Sequence, residues 1–131
     1  TPSFKDIFMK DIRVVDSHSA AYFMGLPEMN VKNIHIENSI FEAEKGITAI
    51  DVDGLELNNV KVIAGDDSAI TLYNTKNVNV KDFSFAENGK TPVRVLGTLS
   101  ENVSFEKEDF SAAGKQIEQD KNLPKNAVKL K

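Results

Sequence analysis

The chain has 131 residues, 40% of them hydrophobic and 27% charged, with a net charge of −4. That is one domain's worth of chain, able to bury roughly two-thirds of the surface its unfolded form exposes; no basic stripe or RNA-binding motif points to nucleic acid. It contains no Cys, which excludes disulfides, thiolate catalysis and zinc–cysteine sites. No apolar run approaches the ~20 residues of a membrane span, and no stretch of it reads as a signal peptide.

In chain order, five segments align: DIFMKDIRV (6–14), NIHIENSIF (33–41), GLELNNVKV (54–62), NVNVKDFSF (77–85) and NVSFEKEDF (102–110). Apolar residues recur at the second, fourth and last places. They are Ile7, Met9 and Val14, then Ile34, Ile36 and Phe41, then Leu55, Leu57 and Val62, then Val78, Val80 and Phe85, and finally Val103, Phe105 and Phe110. The seventh place holds Ile12, Ser39, Val60, Phe83 and Glu108, so the pattern thins in the second and fifth copies. Copies begin 27, 21, 23 and 25 residues apart. Each of the first four has two period-2 runs about a polar pair, and a further apolar run follows at 20–24, 46–50, 68–72 and 92–96.

Three short strands per repeat, with no helical period and no leucine–asparagine consensus, predict an all-β fold. It is a right-handed parallel β-helix of about five coils over 1–110, the hand following from the crossover rule. Coils stacked at about 4.8 Å place like residues in ladders. Asp6, Asn33, Gly54, Asn77 and Asn102 form one corner; Asp11, Asn38, Asn59 and Asp82 form another. Asn, Asp and Gly suit corners because they tolerate left-handed backbone, and stacked Asn amides bond along the ladder.

After Phe110 the repeat stops. The polar, lysine-rich 111–131 is expected to close the last coil, with one or two helical turns around 115–121, since an uncovered coil exposes unpaired backbone groups. The first coil starts without a capping helix or charged cover. The chain is therefore expected to be the C-terminal part of a longer solenoid, or to self-associate through that uncapped coil.

GLPEMNVKNIHIENSIFEAEKGITAIDVDGLELNNVKV (25–62), with LYNTKNVNVKDFSF (72–85), resembles the C-terminal coils of bacterial, Bacteroides-type family 28 glycoside hydrolases, the polygalacturonase-like enzymes. The resemblance runs from Pro2 to Val103. It implies a secreted or periplasmic pectin-degrading parent that hydrolyses galacturonan-type polymers with inversion, using one carboxylic acid as proton donor and others to activate a water. The partner implied is acidic polysaccharide; no cofactor, nucleic acid or membrane is expected.

The family sets Asn-Thr-Asp, Asp-Asp, Gly-His-Gly and Arg-Ile-Lys motifs on successive coils. GDDSAI (65–70) is similar to the Asp-Asp coil and DVDG (51–54) faintly to the first motif. Yet only 13 residues separate Asp53 from Asp66, much less than a coil. No His follows Asp67, 88–90 reads Asn-Gly-Lys, and Arg-Ile-Lys does not occur. In the family the catalytic motifs also precede the Gly-Leu-Pro-Glu-Met coil, whereas Asp66 and Asp67 follow it. Gly65-Asp66-Asp67-Ser68 therefore reads as a turn, no residue is assigned as catalytic, and a non-catalytic part of the hydrolase is expected. The alternatives are a free-standing module that binds acidic polysaccharide and a structural solenoid assembling end to end.

Asp51, Asp53, Asp66 and Asp67 offer hard oxygens for calcium, but they fall on different ladders and no metal site is assigned. His18, near Asp16 and Ser17, is placed in a loop without the setting of a nucleophilic serine. His35 lies between Ile34 and Ile36 and is expected to face solvent. Tyr22, Lys45, Tyr73 and Arg94 are the candidate substrate-binding residues, the rings for stacking on sugars and the cations for carboxylates. Phe41, Phe85 and Phe110 are assigned to the core.

Overall fold

A computed structural model describes residues 5–65, 67–110 and 116–131. The strands are β1 (Lys5–Lys10), β2 (Arg13–Met24), β3 (Val31–Ile50), β4 (Val52–Ala64), β5 (Ile70–Tyr73), β6 (Lys76–Phe85), β7 (Val93–Leu96), β8 (Glu101–Phe105), β9 (Ile117–Gln119) and β10 (Val128–Leu130). Every strand pairing is parallel and joins a coil to the next. The result is a β-solenoid of about five turns. Each coil runs through three faces. The first carries β1 and the starts of β3, β4 and β6, then β8 and β10. The second carries the start of β2, the middle of β3 and the ends of β4 and β6. The third carries the ends of β2 and β3, then β5, β7 and β9.

The corners follow the expected residues. Among the described residues eleven non-glycine positions have positive φ, and all are Asp or Asn, the side chains that tolerate it best. Asn33 Nδ2 donates to Asp6 Oδ1 (3.1 Å) and Asn102 Nδ2 to Asn77 Oδ1 (2.8 Å) along one corner. Asn59 Nδ2 donates to Asn38 Oδ1 (2.9 Å) along the other. At Gly54 a Cβ would stand 2.8 Å from Asn33 Oδ1, so that rung is bare and Asn77 Nδ2 reaches Asp53 Oδ1 (2.7 Å) instead. These turns are tight enough that hydrogen bonding continues through them. β3 therefore runs as one strand of 20 residues where three short ones are expected.

Inside, the ladders are dry. Ile34, Leu55, Val78 and Val103 stack on one another, as do Ile36, Leu57, Val80 and Phe105, all essentially inaccessible. Phe41 is fully buried, while Phe85 and Phe110 are partly buried against the same cluster, their rings 5.8 Å apart. The weak seventh place of the second copy is also inward. Ser39 is buried, its Oγ accepting from the Ile12 N–H (3.2 Å) and donating to the Glu37 carbonyl (2.9 Å).

The fifth copy departs from the pattern. After β8 the chain makes a 3-10 turn, Lys107–Asp109, and among the described residues no second-face strand forms there. Carboxylates replace the missing carbonyls: Glu106 Oε1 accepts from the Asp82 N–H and Asp109 Oδ2 from the Phe83 N–H, both at 3.1 Å. The helical turns expected around 115–121 are absent at 117–119, which is strand β9 on β7; β10 pairs with β8. Both edge strands are three residues long, a length that limits further pairing. At the opposite end, among the described residues, β1 and β2 pair only with β3. Their inward residues Ile7, Met9, Val14 and Phe23 stay partly exposed, whereas Ile34, Ile36, Phe41 and Ala49 one coil on are closed.

Candidate functional site

The third face gathers most of the candidate binding residues. Its register aligns Tyr22, Thr48, Thr71, Arg94 and Glu118 on one outward ladder, and Met24, Ile50, Tyr73 and Leu96 on a second. Outward projection follows from period-2 alternation, since Ile47, Ala49, Ile70, Leu72, Val93 and Val95 between them are buried. Tyr22 and Tyr73 are exposed, as are Met24 on the same face and Leu26 and Leu99 in the bordering turns. Tyr22 lies three rungs, about 14 Å, from Arg94. Arg94 Nε is held 3.3 Å from Glu118 Oε2, one rung further on. Lys45 pairs in register with Ser19 at the margin of this face and is exposed. The face thus joins two tyrosines, two cations, two threonines and an apolar ladder. Such a surface offers stacking and hydroxyl or carboxylate contacts.

Asp66 lies outside the described residues. Asp67 Oδ2 accepts from the Gly46 N–H (3.4 Å), and the Asp67 carbonyl accepts from Asn88 Nδ2 (2.9 Å). Both bonds hold the crossing between the second and third faces in place. Gly46 is required there because a Cβ would stand 2.2 Å from the Ala69 carbonyl oxygen.

His18 lies within β2 and not in a loop, its Nδ1 3.0 Å from Glu44 Oε2. Both side chains are exposed and border an open groove of about 520 Å³ with Asp16, Ser17 and Glu42. Ser17 Oγ donates to the Ser19 carbonyl (2.9 Å), so its proton is committed away from His18. His35 faces outward, as expected, stacked on Phe8 at 4.8 Å with Nδ1 3.2 Å from Glu56 Oε2.

Asp51 and Asp53 do not converge: Asp53 is bonded to Asn77, while Asp51 sits at the turn from the third face to the first. The described residues contain one acidic trio, Asp82, Glu106 and Asp109, with ligand atoms within 4.8 Å. Burial raises the Asp109 pKa above the ordinary carboxylate value, and the charges of Glu106, Asp82 and Glu108 push the same way against the Phe83 N–H. Glu106 and Asp109 already cap backbone N–H groups, which accounts for the cluster without an ion.

The sequence sets Asp51 and Asn74 on one ladder but does not mark it as a corner; in the structure Gly25, Asp51, Asn74 and Gly97 form a third corner ladder. Its mark was present, since each directly follows the outward residue that ends a third-face run, but it falls between the aligned copies. Comparison with protein-family models, with curated proteins and with solved structures finds no match.

Proposed function

We propose that this chain is the non-catalytic, polymer-facing end of a β-helix hydrolase acting on pectin-like galacturonans, and that its third face lies along the acidic polysaccharide. The observation that carries the reading is the convergence of Tyr22, Tyr73 and Arg94 on the outward side of one sheet, with Lys45 at its margin. Rungs about 4.8 Å apart give an extended polymer a regular series of contacts. Tyrosine rings stack on the apolar faces of sugars, and the guanidinium takes uronate carboxylates.

The test is polygalacturonate binding by the 131-residue chain, with Tyr73→Ala and Arg94→Ala beside an Arg13→Ala control on another face. Each third-face substitution is expected to weaken binding about three- to tenfold, on the order of 1 kcal/mol, and the control to leave it unchanged. Binding that ignores both substitutions, or no binding by a folded chain, refutes the polymer-facing reading. Release of reducing ends that disappears in Asp67→Ala would refute the non-catalytic one.

A further inference from the structure

The third corner is where the ladder of polar side chains does not close. Asp51 (φ 53°) and Asn74 (φ 48°) turn the second and third coils from the third face to the first. At the other corners a side-chain amide bonds a polar side chain of the preceding coil. Here Asn74 Oδ1 instead accepts from the Leu99 N–H at 3.1 Å. The Asp51 carboxylate has no hydrogen bond or ion pair among the described residues, although the residue is only 9% exposed. A carboxylate without a protein partner leaves its hydrogen bonds to water or a ligand. Among the described residues no fully enclosed side-chain oxygen or nitrogen lacks a partner, so the Asp51 oxygens reach solvent through the cavity they line.

That cavity measures about 230 Å³. Coils two and three turn tightly at Asp51 and Asn74, while the first and fourth coils carry longer turns on either side. Pro27 and Asn30 line it from the first coil, Thr98 and Leu99 from the fourth. Lys76 and Glu101, on the first face, complete it. Tyr73 immediately precedes Asn74, so the cavity adjoins the margin of the third face.

We propose that this corner cavity is a monosaccharide subsite that takes one pyranose ring of the polymer through its hydroxyls. The inference rests on the polymer-facing reading above and adds where a single sugar is held. A carboxylate accepts from two adjacent hydroxyls at once, and such charge-assisted bonds are about twice as strong as neutral ones. Amide groups of Asn30 and Asn74 and the Thr98 hydroxyl both donate and accept, as sugar hydroxyls require. Leu99 and Pro27 supply an apolar surface for the C–H face of the ring. With two carboxylates against one ammonium, the cavity selects hydroxyls over a sugar's own carboxylate. Galactose and galacturonate are therefore both ligands. A divalent cation is disfavoured by Lys76.

The experiment is a titration of the ¹⁵N-labelled 131-residue chain with galactose, galacturonate and calcium chloride, read by amide chemical shifts. Both sugars are expected to move the amides of Asp51, Asn74, Leu99 and Glu101, and calcium is not. Asp51→Asn keeps a residue that tolerates positive φ and is expected to weaken both sugars at least about fivefold, while Arg13→Ala, on another face and away from the cavity, leaves monosaccharide binding intact. Sugar shifts elsewhere, no shifts, equal affinity in Asp51→Asn, or a calcium response at the same amides each overturn the subsite. Polygalacturonate binding that depends on Tyr73 and Arg94 without any monosaccharide response rejects the subsite and leaves the polymer-facing reading standing. Monosaccharide binding at Asp51 without polymer binding rejects that reading and keeps the cavity as a sugar site.

Discussion

Two glycines separate backbone strain from steric conflict, and substituting each by alanine measures the difference. Gly97 and Gly89 have nearly the same φ, 84° and 83°. In this region an L side chain costs about 1–2 kcal/mol, partly offset by about 0.4–1 kcal/mol from the stiffer unfolded chain. Gly89→Ala therefore costs about 1 kcal/mol, because its new Cβ meets nothing within 4 Å. At Gly97 the Cβ would stand 2.2 Å from Asn74 Oδ1 and 2.9 Å from the Asn74 backbone nitrogen. The Asn74 side chain must turn away, releasing the Leu99 N–H it holds at 3.1 Å; the bond is worth about 0.5–1.5 kcal/mol. Together with the displacement, Gly97→Ala is expected to cost about 3 kcal/mol. An unfolding entropy of about 2.1 cal/mol/K per residue converts this to a loss of about 10 °C in Tm, against about 4 °C for Gly89→Ala. Calorimetry of both variants beside the parent checks it. Equal losses would show that Asn74 is not held against Gly97, and the geometry assigned to the third corner would fall.

Other expectations concern the core and the closing coil. Thr75 is fully buried with Oγ1 3.1 Å from the Ala49 and Tyr73 carbonyls. Thr75→Val is expected to cost only about 1 kcal/mol by denaturant melts, because the Tyr73 carbonyl keeps the Asp51 N–H (3.0 Å). Phe41→Ala, in a closed coil, is expected to cost about 3–5 kcal/mol, and Phe23→Ala, in the open first coil, clearly less; equal losses would mean that the first coil is covered in solution. The raised Asp109 pKa means that the folded chain holds more proton than the unfolded one between the ordinary aspartate value and the raised value. Stability from this group is present below that window and is lost as pH rises through it. Asp109→Asn keeps an acceptor for the Phe83 N–H and is expected to be at least as stable as the parent at neutral pH, with its relative advantage vanishing in acid; a less stable variant at neutral pH contradicts this.

The coil pattern was legible because burial is written with period 2 and corners with Asn, Asp and Gly. Ile34, Leu55, Val78 and Val103 recur at the same place of successive copies, and they stack in that order. Corner signals survive because positive φ admits few residue types, and two ladders were readable for that reason. The closing segment was less legible. Ile117–Gln119 has no periodicity of its own, and its strand is imposed by the edge of β7. His18 was misplaced because DSHS (16–19) is rich in turn formers, although pairing with β3 holds it extended. For the candidate site, outward projection of Tyr22, Tyr73 and Arg94 follows from alternation alone. Their convergence on one face required the register.

The corner cavity shows what repeat spacing alone leaves out. The copies begin 27, 21, 23 and 25 residues apart, which tells how many residues each coil adds but not where. Register places them. From Met24 to Lys32 the first coil takes eight positions where Ile50 to Asp53 takes three. From Leu96 to Glu101 the fourth takes five where Tyr73 to Lys76 takes three. The third coil instead spends its extra residues between Ala64 and Ile70, at the crossing that holds Asp67. The first and fourth coils thus extend at the same corner, and the two coils between them turn at single residues beneath the overhang. An interior ladder has no freedom to host such additions, because every rung is packed on two others. A corner has that freedom, and a solenoid gains a binding cavity where unequal turns fall on one corner.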